Sequence, residues 1–223
     1  MRQVLARREG RELATLDLEF LRAESPGAQE LGALLFSSAY PYAPAELRAA
    51  LGHAAQSQHW EVREWAAGAL GEALSAHLGD LWPVVRAWTK SPSDRLRRAA
   101  VLALMEFGRV CPPEDVGKVL DILGDMLGDP SPYVQKSLAP FAIGSALAQR
   151  DGAVVAAKLR EWAHRDDDLV RAQVALVFTA KPAARMAPRL TDVLDALSSD
   201  PSPQVQRALK KARRAIANAQ SNA

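Results

Sequence analysis

Residues 58–105 read QHWEVREWAAGALGEALSAHLGDLWPVVRAWTKSPSDRLRRAAVLALM, and they hold two copies of one pattern. Each copy has a branched apolar residue (Val62, Leu96), an arginine directly after it (Arg63, Arg97), and then a small-residue helix. The pattern returns as SPYVQKSLAPFA from Ser131, DDLVRAQVALVF from Asp167 and SPQVQRALKKAR from Ser202. The anchors Val62, Leu96, Val134, Val170 and Val205 are separated by 34, 38, 36 and 35 residues. A period in this range marks a stacked repeat, because one such unit cannot bury its apolar face without a neighbour. Nothing alternates with period two long enough for a strand. The expected fold is therefore all-α, an α-solenoid of about five to six helix pairs wound as a right-handed superhelix.

Working outward, helices are expected at 11–24, 28–39 and 44–57, broken by Ser25-Pro26-Gly27 and by the Tyr-Pro-Tyr turn at 40–42. Residues 1–43 would be N-terminal helices, and 44–223 five helix-pair repeats of a single domain spanning 1–223. The pairs divide near Gly79, Cys111-Pro112-Pro113, Arg150-Asp151-Gly152 and Lys181-Pro182. Residues 1–12 carry four arginines against two glutamates. The turns are chemically alike: Asp129-Pro-Ser-Pro132 and Asp200-Pro-Ser-Pro203 are identical, and Ser91-Pro-Ser-Asp94 aligns with both. Each offers a serine as N-cap and a proline or acid for the first helical turn. Asp166-Asp167-Asp168 stands in the same place, where capping explains three carboxylates better than a metal does.

Composition narrows the function. The net charge is +2, with 24% charged and 48% hydrophobic residues, the profile of a globular protein. No apolar run reaches membrane-spanning length and the start lacks a signal-peptide core, so no membrane partner is expected. The single cysteine, Cys111, excludes an intrachain disulfide and fits a cytoplasmic setting. His53, His59, His77 and His164 show no metal-ligand spacing, and there is no phosphate loop, dinucleotide fingerprint or serine-nucleophile motif. Neither metal nor cofactor is expected.

What remains is a repeated basic position. Arg63, Arg97 with Arg98, Lys136, Arg171 and Arg207 lie one or two residues after each anchor, near a helix N-terminus that already favours anions. In register they would form a ladder suited to a phosphate backbone. They could equally bond acids of neighbouring repeats, with Glu61, Glu64, Asp94 and Asp168 as candidates. Trp60, at the start of its helix, is the best base-stacking candidate, whereas Trp82, Trp88 and Trp162 suit packing between repeats. The last helix carries Arg207, Lys210, Lys211, Arg213 and Arg214 without an acid, which favours an anionic partner.

Leu96-Arg97-Arg98-Ala99-Ala100, Tyr133-Val134-Gln135-Lys136, the helix-ending Trp88 and Ser57-Gln58-His59-Trp60 carry a resemblance. The stretches 57–107 and 114–162 resemble the HEAT-like DNA alkylation-repair family, the AlkD and AlkC type of alkylpurine glycosylase. The resemblance implies a concave face gripping the DNA backbone, with Arg98 on a phosphate. It also implies an aspartate that stabilises positive charge on the sugar during base release. That aspartate falls on Arg63 here, a nearby tryptophan on His59 and a second one on Pro140. A cation at Arg63 opposes the developing charge. The expected function is thus DNA binding (duplex, branched or damaged) by a monomer, in a repair context and without base release. Two alternatives stand beside it: an alkylpurine glycosylase using Glu64 or Glu61, and a scaffold for a protein partner.

Overall fold

The computed structural model describes residues 10–221, and the arginine-rich start up to residue 9 lies outside them. Among the described residues the chain is helical throughout, with no strand. In order come α1 (Gly10–Arg22), α2 (Pro26–Ala39), a 3-10 turn (Tyr40–Tyr42), α3 (Pro44–Ala54), α4 (Trp60–Ala76) and α5 (Leu78–Thr89). They are followed by α6 (Asp94–Val110), α7 (Pro113–Asp125), α8 (Pro132–Ser137), a π-helical segment (Leu138–Leu147), α9 (Ala148–Arg150) and α10 (Gly152–Trp162). Last come α11 (Asp168–Val177), α12 (Lys181–Met186), a 3-10 turn (Ala187–Arg189), α13 (Thr191–Ser198) and α14 (Pro203–Ser221). The second helix of each repeat begins at Trp60, Asp94, Pro132, Asp168 and Pro203, within a residue of the turn signals. The expected all-α repeat fold is what the chain adopts.

Two compact units divide the chain, one ending at Ala103 and the other beginning at Leu104. In the first, α1 packs on α2 and α3, α2 on α4, and α4 on α5. Phe36, Tyr40, Leu47, Leu51, Val62, Leu70, Leu74 and Leu81 fill its core, each no more than 1% exposed. In the second, α11 packs on α14 and on the π segment, with Val134, Leu138, Leu159, Trp162, Phe178 and Val205 buried. Fully burying a side chain of this size stabilises by roughly 1.5–3 kcal/mol. Four of the five anchors are therefore core residues, and Leu96 is the half-buried exception. Ala66, Ala67, Ala172 and Ala175, all at most 2% exposed, let the helices approach closely.

The π segment was not expected. Pro140 has no N–H to donate and its ring crowds the carbonyl four residues back, which weakens the α ladder at this point. The chain widens to π geometry instead. Gly144 lies in the widened stretch, where a Cβ would collide with the carbonyl oxygen of Val177 in α11. Backbone cannot swing aside as a side chain can. Gly144→Ala should therefore destabilise the protein by about 2–3 kcal/mol, measured by urea denaturation. An unchanged midpoint would contradict this packing.

Candidate nucleic-acid interface

The turns before the second helices share one scheme. The side chain five residues before the anchor sets it: in four repeats its oxygen accepts from the N–H two residues on. Ser57 Oγ accepts from His59 at 3.2 Å, and Ser91 Oγ from Ser93 at 3.1 Å. Asp129 Oδ1 accepts from Ser131 at 2.9 Å, and Asp200 Oδ1 from Ser202 at 2.8 Å. Ser131, Asp167 and Ser202 then cap their helices, accepting from Tyr133, Leu169 and Gln204. The aspartate run thus contributes an N-cap at Asp167, as the capping reading expects.

The residue directly after each anchor closes the same turn. Arg63 donates to the Ser57 and Gln58 carbonyls at 2.8 and 3.0 Å. Arg97 donates to those of Ser91 and Pro92 at 2.9 and 3.1 Å. Arg171 donates to those of Arg165 and Asp166 at 2.7 and 2.6 Å. Gln135 and Gln206 reach the equivalent carbonyls of Asp129 and Asp200, both at 2.8 Å. This column therefore reads Arg, Arg, Gln, Arg, Gln, a row of long side-chain donors that satisfies carbonyls left free at the preceding turn. A glutamine can do this as well as an arginine, so positive charge is not what the position selects. Comparing the two glutamines strictly in register would have exposed the role from sequence.

Arg171 carries a second bond. Its Nε donates to Asp200 of the next repeat, with the two side chains only 17% and 5% exposed. The pairing and the Ser202 N–H hold the Asp200 carboxyl below the usual carboxylate range. Arg95, which the sequence reading passed over, makes a comparable tie between repeats. It donates to the Gln56 and Ser57 carbonyls at 2.7 and 3.2 Å and to Gln58 Oε1 at 3.1 Å.

Two residues after the anchors stand Glu64, Arg98, Lys136, Ala172 and Arg207. Glu64 and Arg98 pair with each other at 2.6 Å, at 35% and 16% exposure. The glutamate considered for catalysis and the arginine considered for phosphate thus meet in one ion pair. Glu61 lies half-buried in the first turn of α4, beside Trp60, which is 62% exposed. Lys136 and Arg207 are exposed, with no ion pair among the described residues. Trp162 is buried against Gly124, and Trp88 lies 3.5 Å from where a Gly52 Cβ would sit, both in packing positions.

Among the described helices α14 carries the most basic residues. It has five basic residues and no acid. Val205, Ala208, Leu209 and Ala212 face the core, while Arg207, Lys210, Lys211 and Arg214 cluster on the opposite, exposed side. None of these four makes an ion pair among the described residues. Arg213 donates to Ser198 Oγ at 2.6 Å and ties the helix to α13. Gln206, Leu209, Lys210, Arg213, Arg214 and Ala217 line an open groove along it.

Repeating helix pairs, closed by one turn chemistry, define a HEAT-like repeat protein. Residues 48–139 match the HEAT repeats family. The structure is similar to that of AlkD2 from Streptococcus mutans, with a TM-score of 0.62 and 20% identity over 81% of this chain and 83% of that one. It is likewise similar to smu.31 from Streptococcus mutans UA159, at a TM-score of 0.62 and 19% identity, over 80% and 85% of the two chains. At these identities the likeness establishes a shared fold. No curated protein matches the chain by sequence.

Proposed function

We propose that the protein binds DNA through its phosphate backbone and does not release bases. The observation that carries this reading is the exposed face of α14, with Arg207, Lys210, Lys211 and Arg214 unopposed by any acid on the helix. An exposed helix face is polar for solubility in any case, but mixed charges would serve that need. A single sign concentrated on one helix, in a chain of net charge +2, points to an anionic polymer. Lys136 and the exposed ring of Trp60 would add a phosphate contact and a stacking surface. The resemblance to the alkylation-repair family and the fold shared with AlkD2 support DNA as that polymer.

Base release has less support. Arg63 stands where the family's stabilising aspartate falls, and Glu64 is engaged by Arg98. Glu61 makes no ion pair among the described residues, but it lies one step round the helix from the required direction. A methylated duplex should therefore show no released base above a no-enzyme control, assayed alongside binding to unmodified, forked and methylated DNA. Base release abolished by Glu64→Gln would instead establish the glycosylase. A second reading, a scaffold for protein partners, draws on Arg63, Arg97 and Arg171, each of which turns a guanidinium N–H back onto carbonyls within the repeats. It expects no duplex affinity at all.

A further inference from the structure

The second unit contains a polar cleft of about 360 Å³, lined by Arg109, Ser145, Ala146, Gln149 and Arg150. Its position coincides with the main irregularity of the fold. Ser145 and Ala146 lie in the last turn of the π segment, and Gln149 and Arg150 follow in α9. Positions 145, 149 and 150 are four and five apart, so they share a face where π geometry returns to α. Arg109 comes from the last turn of α6. The cleft thus gathers two guanidinium groups, a hydroxyl and a carboxamide over the small side chain of Ala146.

The arginines are held but not used up. Arg150 Nη2 donates to the Cys111 carbonyl at 2.7 Å, which fixes its guanidinium. Arg109 Nη1 sits 2.8 Å from both carboxylate oxygens of Glu106, with the arginine side chain 49% exposed. A guanidinium has five N–H donors in a planar fork, so each arginine keeps others for a ligand. Glu106 offsets part of the charge, and two cations remain against it. A carboxylate can be satisfied by one fork, whereas donors converging from two forks, a hydroxyl and an amide suit an oxyanion with several terminal oxygens. The volume is at the small end for ligand sites, enough for one phosphate and the group that bears it.

We propose that this cleft is an oxyanion site that binds a phosphate group. The chemistry is common to a free phosphomonoester and to a single backbone phosphate. The site stands independently of the α14 reading, since its residues and its ligand test are separate.

The test is a calorimetric titration of the full chain with inorganic phosphate, on wild type, Arg109→Gln and Arg150→Gln. Saturable binding is expected, weakened on the order of tenfold in Arg109→Gln, as the loss of a charge-assisted hydrogen bond requires. Arg109→Gln gives up only a half-exposed surface pair and should fold normally, which a thermal melt on the same sample checks. Addition of a short duplex then distinguishes the sources. Phosphate displaced by duplex in wild type assigns the site to the DNA backbone, and phosphate retained under saturating duplex assigns it to a free phosphorylated compound. Absence of saturable phosphate binding by wild type would overturn the proposal, as would equal affinity in wild type and a folded Arg109→Gln.

Discussion

Asp17→Asn should stabilise the protein at pH 7 by on the order of 4 kcal/mol and remove most of its pH dependence between pH 4 and 8. Asp17 is fully buried in α1, and among the described residues neither carboxylate oxygen has a hydrogen-bond partner. Burial without compensation pushes its carboxyl up to about 8 from an ordinary value of 3.8. The folded state therefore holds a proton that the unfolded state has already released. Wherever the unfolded state binds fewer protons, stability falls as pH rises. The cost begins near the unfolded value, grows through neutrality and levels off above about pH 8. Asparagine carries nearly the same shape without the charge, and the desolvation of its extra N–H costs less than that of a carboxylate. Denaturant titrations at pH 5, 6, 7 and 8 should show wild-type stability declining and the variant nearly flat. A wild type equally stable at pH 5 and pH 8 would show that Asp17 is ionised and partnered.

Arg171→Ala should cost about 3–5 kcal/mol, because it strands a buried carboxylate and two turn carbonyls together. Asp200 is 5% exposed at its side chain and depends on Arg171 for its charge partner. The sign with pH differs from that of Asp17. Arg171 holds the Asp200 carboxyl low, so this contribution is present above the unfolded value and is lost as pH falls through the folded one. The gap between wild type and Arg171→Ala should accordingly be widest at neutral pH and narrow in acid. Duplex affinity of the folded variant should stay within about twofold of wild type, since its donors face the turn and Asp200. An unchanged melting temperature with weaker DNA binding would return Arg171 to the nucleic-acid surface.

The repeat architecture was legible because it rests on a period and on turn chemistry, and both are local. Val62, Val134, Val170 and Val205 are buried where a recurring apolar residue must be, and Ser131 and Asp167 cap where N-cap residues precede a helix. The burial of Asp17 was less visible. It lies three residues after Ala14 and four before Leu21, on the same helix face, but one charged residue on an apolar stripe does not reveal how far the neighbouring helices cover it. The π segment depended on how the chain would answer Pro140, where it packs against α11, and local spacing does not encode that answer. The basic ladder was legible as charge and illegible as geometry. Sequence places Arg63, Arg97 and Arg171 near helix starts, and only coordinates show their guanidiniums turned back onto the preceding carbonyls. The oxyanion cleft joins residues about 40 apart, beyond the reach of motif spacing.

The central claim, that α14 contacts a phosphate backbone, is tested most directly by the salt dependence of duplex binding. Fluorescence anisotropy across a range of salt should be measured for wild type and for the triple variant Lys210→Ala, Lys211→Ala, Arg214→Ala. Each phosphate contact contributes about 0.9 to the slope of log affinity against log salt. The account predicts a steep wild-type slope, reduced by about 2.7 in the triple variant, on every duplex sequence alike and with the melting temperature unchanged. Equal affinity and equal slope in the two proteins, or no duplex binding by wild type at low salt, would contradict it.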